Sequence, residues 1–133
     1  MVNHELTPES LGAPSANYAL ATLADSPARI LHTSGIGPVS PDGAVPEAIV
    51  DQAAAVWATL LALLDEAEMS ATDVVSVSTY VVVGDNLSDD LAAAMSARDQ
   101  ALGGHRCAST LVPVPQLASP TWKMEIALVA MAD

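Results

Sequence analysis

The longest apolar stretch of the chain, "AAAVWATLLALL" over 53–64, has a helical pattern. Ile49, Ala53, Val56, Trp57, Leu60, Leu61 and Leu64 recur at steps of three and four, which puts them on one broad face. Pro46 suits a first helical turn, so a helix is predicted from Pro46 to about Glu68. A second is predicted from Ser88, as N-cap, to about Leu102. Asp89 and Asp90 favour its positive end and Gly103-Gly104 stop it. "VVSVSTYVVV" (74–83) is the densest β-branched run and reads as the strongest strand. "CASTLVPV" (107–114) and "KMEIALVAM" (123–131) read as two more, parted by the Pro-rich "PQLASP" (115–120). Upstream, "NYALATLA" (17–24) and "RILHTSGIGPVS" (29–40) flank the turn Asp25-Ser26-Pro27 and suggest a β-hairpin over 17–40. Gly35 and Gly37 inside its second arm indicate a bulge or the close approach of another group. Residues 1–16, with Pro8, Gly12 and Pro14, read as an irregular lead-in.

The order ββαβαββ predicts an α+β fold, one mixed sheet of about six strands packed on two helices, in a single domain spanning 1–133. The helices cover one sheet face. The other still presents Ala, Val and Leu, and the chain is 51% hydrophobic with 15% charged residues. Sheet-against-sheet association of identical copies is the simplest way to bury that face.

Charge narrows the choice of partner. Four Lys and Arg against sixteen Asp and Glu give a net charge of −12. Nucleic acid and anionic membrane surfaces are therefore poor partners. An anionic ligand would have to meet Arg29, Arg98, Arg106, Lys123 or a backbone nest. The start "MVNHELTPES" lacks the apolar core of an export signal, and the apolar run of 53–64 is too short to span a bilayer, so a cytoplasmic protein is expected. Cys107 stands alone, without an internal disulfide partner, and His4, His32 and His105 are scattered, so no metal or cofactor is expected.

Several strings, in order from Asn17 to Ala132, resemble the RidA (YjgF) family. "NYA" (17–19) is similar to its Pro-Tyr-Ser-Gln-Ala segment, with Tyr18 on the tyrosine. "LHTSGIGPVSPDG" (31–43) is similar to its Val-Ser-Gly-Gln followed by a Pro-containing turn. "DVVSVSTYVVVGDNLSDD" (73–90) resembles its central strand and the loop beyond, and "KMEIALVA" (123–130) its closing Val-Glu-Ile-Glu-Ala strand. The resemblance implies a chorismate-mutase-like homotrimer whose sheets form a central barrel, with ligand clefts between subunits. It implies hydrolysis of reactive enamines and imines, such as 2-aminoacrylate, to 2-keto acids and ammonia. Tyr18, Ser34, Gly35 and Glu125 match the family's cleft, with Glu125 implied to help hold the attacking water. The family's carboxylate-gripping arginine does not match. An ungapped reading of "LGGHRCASTLV" (102–112) puts Ser109 there, Met95 falls where Asn is common, and one extra residue lies between Leu117 and Glu125.

The residues themselves carry the same question. Imine hydrolysis needs an oriented water, proton transfers and a grip on the substrate. Glu125 is a lone carboxylate in an apolar strand, which asks for a donor, a cation or a ligand. Ser109 has no charge to grip a carboxylate but donates one hydrogen bond. Arg106, three residues earlier, has the opposite strand parity and serves only if the strand begins after it. Arg98, one helical turn after Met95, has the reach for a neighbouring cleft. Plainer roles compete. Tyr18 also suits packing, Ser34 and Gly35 a simple bulge, Cys107 a small buried hydrophobe, His32 and His105 structure or surface. Trp57 and Trp122 read as core and interface filling, and Asp65, Glu66 and Glu68 as a solvated helix end. The sequence thus points to a RidA-like hydrolase acting on a small molecule. The alternatives are a trimer without deaminase activity that binds a small ligand or a protein, and, least supported by the charge, a ribonuclease or translation inhibitor.

Overall fold

The computed structural model describes residues 3–133. Its elements are β1 (Asn3–Leu6), β2 (Ala21–Ala24), β3 (Arg29–His32), α1 (Ile49–Glu66), a 3-10 turn (Ala71–Asp73), β4 (Val74–Val82), α2 (Leu87–Ala101), β5 (Ala108–Val114) and β6 (Met124–Ala132). Four strands form a sheet in the order β3-β6-β4-β5, with β4 and β5 parallel and the other pairs antiparallel. β1 and β2 form an antiparallel ladder of their own. A bridge between Ala19 and Ala108 joins that ladder to β5, and the Ala108 N–H donates to Thr22 Oγ1 (3.2 Å). Two helices thus pack on six strands of mixed direction.

β6 alternates strictly between buried and half-buried positions, and β4 does so from Val75 onward, its register shifting between Val74 and Ser76. That alternation assigns the faces. Val77, Thr79 and Val81 of β4 and Met124, Ile126 and Leu128 of β6 turn toward the helices, where Val56, Leu60 and Leu64 of α1 meet them. Ser76, Ser78 and Tyr80 share the opposite, uncovered face with Glu125, Ala127 and Val129, since Tyr80 pairs with Glu125 and Ser78 with Ala127.

Both predicted helices form, with shifted starts. α1 begins at Ile49 with Ala48 as N-cap, and Pro46 lies just ahead, its carbonyl accepting from Gln52 Nε2 (2.8 Å). α2 is capped by Asn86, not Ser88. Gly103 (φ 60°) and Gly104 (φ 83°) end it in the left-handed region that glycine adopts without a Cβ penalty.

The N-terminal third departs from expectation. No hairpin spans 17–40, because β2 pairs back to β1 and β3 pairs with β6. Met1 and Val2 of the expected lead-in lie outside the described residues, while Asn3–Leu6 is strand rather than irregular. Arg106 fastens that strand with a fork to Glu5 (Nη2–Oε1 2.8 Å; Nε to Oε1 3.1 Å and to Oε2 3.2 Å). No helix among the described residues is long and apolar enough to cross a membrane.

Candidate functional site

On its uncovered face the run of strands β6, β4 and β5 carries one formal charge, that of Glu125. What brings a partner to this carboxylate is a bulge. After His32, Thr33 still pairs with Leu128: its N–H donates to Leu128 O (3.0 Å), and Leu128 N–H donates to Thr33 Oγ1 (3.0 Å). Ile36 then bridges Ile126, exchanging hydrogen bonds of 2.8 and 3.1 Å. Ser34 and Gly35 therefore both stand opposite the single residue Ala127, a two-against-one bulge that bends the strand. Thr33 Oγ1 donates in turn to Ser34 O (2.8 Å).

Gly35 lies directly against Glu125. A Cβ at Gly35 would collide with Glu125 Oε2 and sit 2.7 Å from its Cδ. Gly37 makes the same allowance for Trp122, whose ring would lie 2.6 Å from a Cβ there. Both glycines that signalled close approach thus receive a side chain from the last loop and strand. Glu125 is half-buried, Ser34 and Gly35 are exposed, and no described side chain donates a hydrogen bond to the Glu125 carboxylate.

The other candidates lie elsewhere. Ser109 pairs with buried Val77 and so faces the helices, on the side of the sheet opposite Glu125. There Arg98, 6% exposed, donates from Nη1 to Ser109 Oγ (3.0 Å) and from Nε and Nη2 to Asp99 Oδ1 (3.1 and 2.9 Å). Next to them, burial pushes the Cys107 thiol up to about 11, although the nearby Arg98 guanidinium favours the thiolate. Arg106 precedes β5, the condition set for it, yet its guanidinium is taken up by Glu5 and by Tyr18 O (2.8 Å). Tyr18 sits beyond the β5 edge, next to Ala19. Three strand spacings and five residues along the strand separate it from Glu125, roughly 20 Å. One chain therefore unites Glu125 with Ser34 and Gly35 but not with Tyr18, Ser109, Arg98 or Arg106.

The sequence reading missed Gln52. This fully buried amide donates to Pro46 O and Thr121 O (2.8 and 2.9 Å) and accepts from the Lys123 N–H (2.7 Å), clamping the loop that delivers Trp122 and Glu125. Its signal was a lone polar residue among the apolar positions Ile49, Ala53 and Val56. Glu125 lines neither of two cavities formed by described residues. One of about 320 Å³ lies between the helices against Trp57 and Ala97, and one of about 350 Å³ lies at Lys123, Asp85, Asn86 and Asp90.

These features agree with the comparisons. The sequence pattern of the endoribonuclease L-PSP family matches residues 10–132, and the chain belongs to this family, whose solved relatives carry the names Rid and YjgF. The Rid-family protein YyfB of Yersinia pestis, itself of unknown function, is similar at 25% identity and TM-score 0.84, covering 98% of this chain and 99% of its own. TdcF of E. coli, solved with bound serine, superposes at TM-score 0.71 with 21% identity over 98% of this chain and 99% of its own. The YjgF gene product of E. coli does so at TM-score 0.69 with 24% identity over 98% and 99%. At those identities the two E. coli proteins speak for the fold alone. Among curated proteins no sequence matches the chain.

Proposed function

We propose that the chain works as a homotrimer and hydrolyses a reactive imine, an enamine or a related C–N bond of a small metabolite in a cleft between subunits. One observation carries this reading: a carboxylate lodged against a glycine bulge on the uncovered sheet face, with no hydrogen-bond donor among the described residues. In this reading Glu125 orients the water and takes its proton, Ser34 and Gly35 wall the cleft, and Tyr18 enters from a second copy. Ser109, Arg98 and Arg106 act through the fold instead of touching the substrate. Family membership supports the trimer and its chorismate-mutase-like barrel. The net charge of −12 argues against the ribonuclease activity that the family's description names.

The test is a coupled assay in which an oxidase or lyase generates the imine and carbonyl release is followed. The protein accelerates release, and Glu125→Gln lowers that acceleration by about a hundredfold or more, the usual scale of general-base loss, without changing the solution mass. A second reading, a trimer that binds a small ligand without hydrolysing it, draws on the committed state of Arg98 and Arg106 and on the serine bound in TdcF. No acceleration across a panel of imines, with a saturable thermal shift on adding serine, would replace the first reading with the second.

A further inference from the structure

Resting on the hydrolase reading, we infer that the substrate is an imine without an α-carboxylate, bound as its iminium cation. A 2-imino acid needs a cation for its carboxylate, ideally a guanidinium fork. The chain has four side-chain cations, and every further copy in a homo-oligomer brings the same four.

Three of them are spent inside the chain. Arg29 donates to Asp133 O (3.0 Å) and Ala67 O (2.6 Å), tying the chain end to the end of α1. Arg98 is held by Asp99 and Ser109 on the helix side of the sheet. Arg106 is held by Glu5 and Tyr18 O. The fourth, Lys123, is exposed and shares its cavity with Asp85 and Asp90, two carboxylates against one ammonium.

On the face that bears Glu125, β6, β4 and β5 add no cation; the nearest basic groups are the imidazole of His32 on β3, opposite Val129 and four residues along from Glu125, and Lys123, two residues before it. Ala108, Thr110 and Val112 of β5 lie on it, opposite Ser76, Ser78 and Tyr80, so no choice of register for the arginine position places a cation there. A second carboxylate beside Glu125 would meet like charge in a molecule that is already strongly negative. A protonated imine meets the opposite: one carboxylate, with Tyr80 and apolar or hydroxyl neighbours for its body.

The chemistry balances with water alone. Glu125 takes a proton from water as the oxygen bonds to the iminium carbon, and the C=N π pair moves to nitrogen. The carboxylic acid returns that proton to nitrogen. The carbinolamine then collapses: Glu125 takes its hydroxyl proton as the C=O bond forms, the C–N pair departs with nitrogen as ammonia, and the carboxylic acid passes the proton to that ammonia. The products are the carbonyl compound and ammonium, and Glu125 ends ionised.

Matched pairs test the inference. A flavin amine oxidase acting on 2-phenylethylamine and an L-amino-acid oxidase acting on phenylalanine deliver imines that differ by the carboxylate alone. Ethylamine and alanine form a smaller pair. The amine-derived imines are accelerated at least tenfold more than their partners, and Lys123→Gln leaves their rates within about twofold. Equal or greater acceleration of the amino-acid imines overturns the inference and leaves the hydrolase reading standing. So does a tenfold loss on those imines in Lys123→Gln, which would make Lys123 the carboxylate grip. No acceleration of any imine sinks the hydrolase reading itself.

Discussion

Gly35 separates what a residue does for folding from what it does for the site. Its φ lies outside the left-handed region, so alanine costs no torsional strain there. The added Cβ collides only with the tip of a flexible side chain, the Glu125 carboxylate. Gly35→Ala is therefore expected to change unfolding free energy by no more than about 1 kcal/mol while displacing the carboxylate. Most of the hydrolytic acceleration is lost with little change in the urea midpoint, and a large loss of stability would show that the bulge itself cannot admit the methyl. Cys107 gives a pH prediction. Its thiol stays protonated to about 11 in the folded chain, against 9.0 when unperturbed. Below pH 9 both states hold the proton and the group has no effect on the balance. Between pH 9 and 11 the unfolded state releases it first, so stability falls as pH rises, by an amount of the order of 2 kcal/mol. The difference between wild type and Cys107→Ala, followed by denaturant titration from pH 8 to 11, isolates this slope from Lys and Tyr titration.

Between elements, the links that hold the site are few and side-chain-mediated. Gln52 joins α1 to the loops at Pro46 and Thr121–Lys123. Gln52→Leu keeps much of the volume but leaves two carbonyls and one N–H without partners, a loss of about 3 kcal/mol. Urea unfolding at fixed protein concentration checks it, and a loss below about 1 kcal/mol would mean that water enters to replace the amide. This clamp also marks the limit of what could be read in advance. α1, α2, β4, β5 and β6 were legible because each carries its own period or β-branched run. Glu125 was legible because it interrupts one of them. The hairpin over 17–40 was misread because the register of β3 is set by β6, about a hundred residues later, and not by the Asp25-Ser26-Pro27 turn beside it. β1 was missed because "NHEL" alternates in nothing and takes its strand form from β2 and from Arg106. The ungapped match set Ser109 beside Glu125, whereas strand parity separates them by the thickness of the sheet.

At the scale of the whole molecule, the uncovered face sets the problem. Ala127, Val129 and Met131 of β6 share it with Ile30 of β3, which is 54% exposed, and helices cover only the other side. Burying this face against copies of itself gathers chains that each carry −12. Association therefore sets apolar burial against mutual repulsion, and salt shifts the balance by screening only the second. Light scattering at 0.15 M salt is expected to give about three times 13.6 kDa. At about 0.01 M salt the screening length grows from roughly 8 Å to 30 Å, and dissociation should appear at higher protein concentration. Val129→Asp puts a charge in the middle of the buried face and yields a mass near 13.6 kDa at every salt. A wild-type mass near that value at micromolar concentration would remove the intersubunit cleft and, with it, the route by which Tyr18 of one copy meets Glu125 of another. Hydrolysis that falls with dilution in step with the mass ties the chemistry to the assembly, because a chain that keeps these residues roughly 20 Å apart has no complete site of its own.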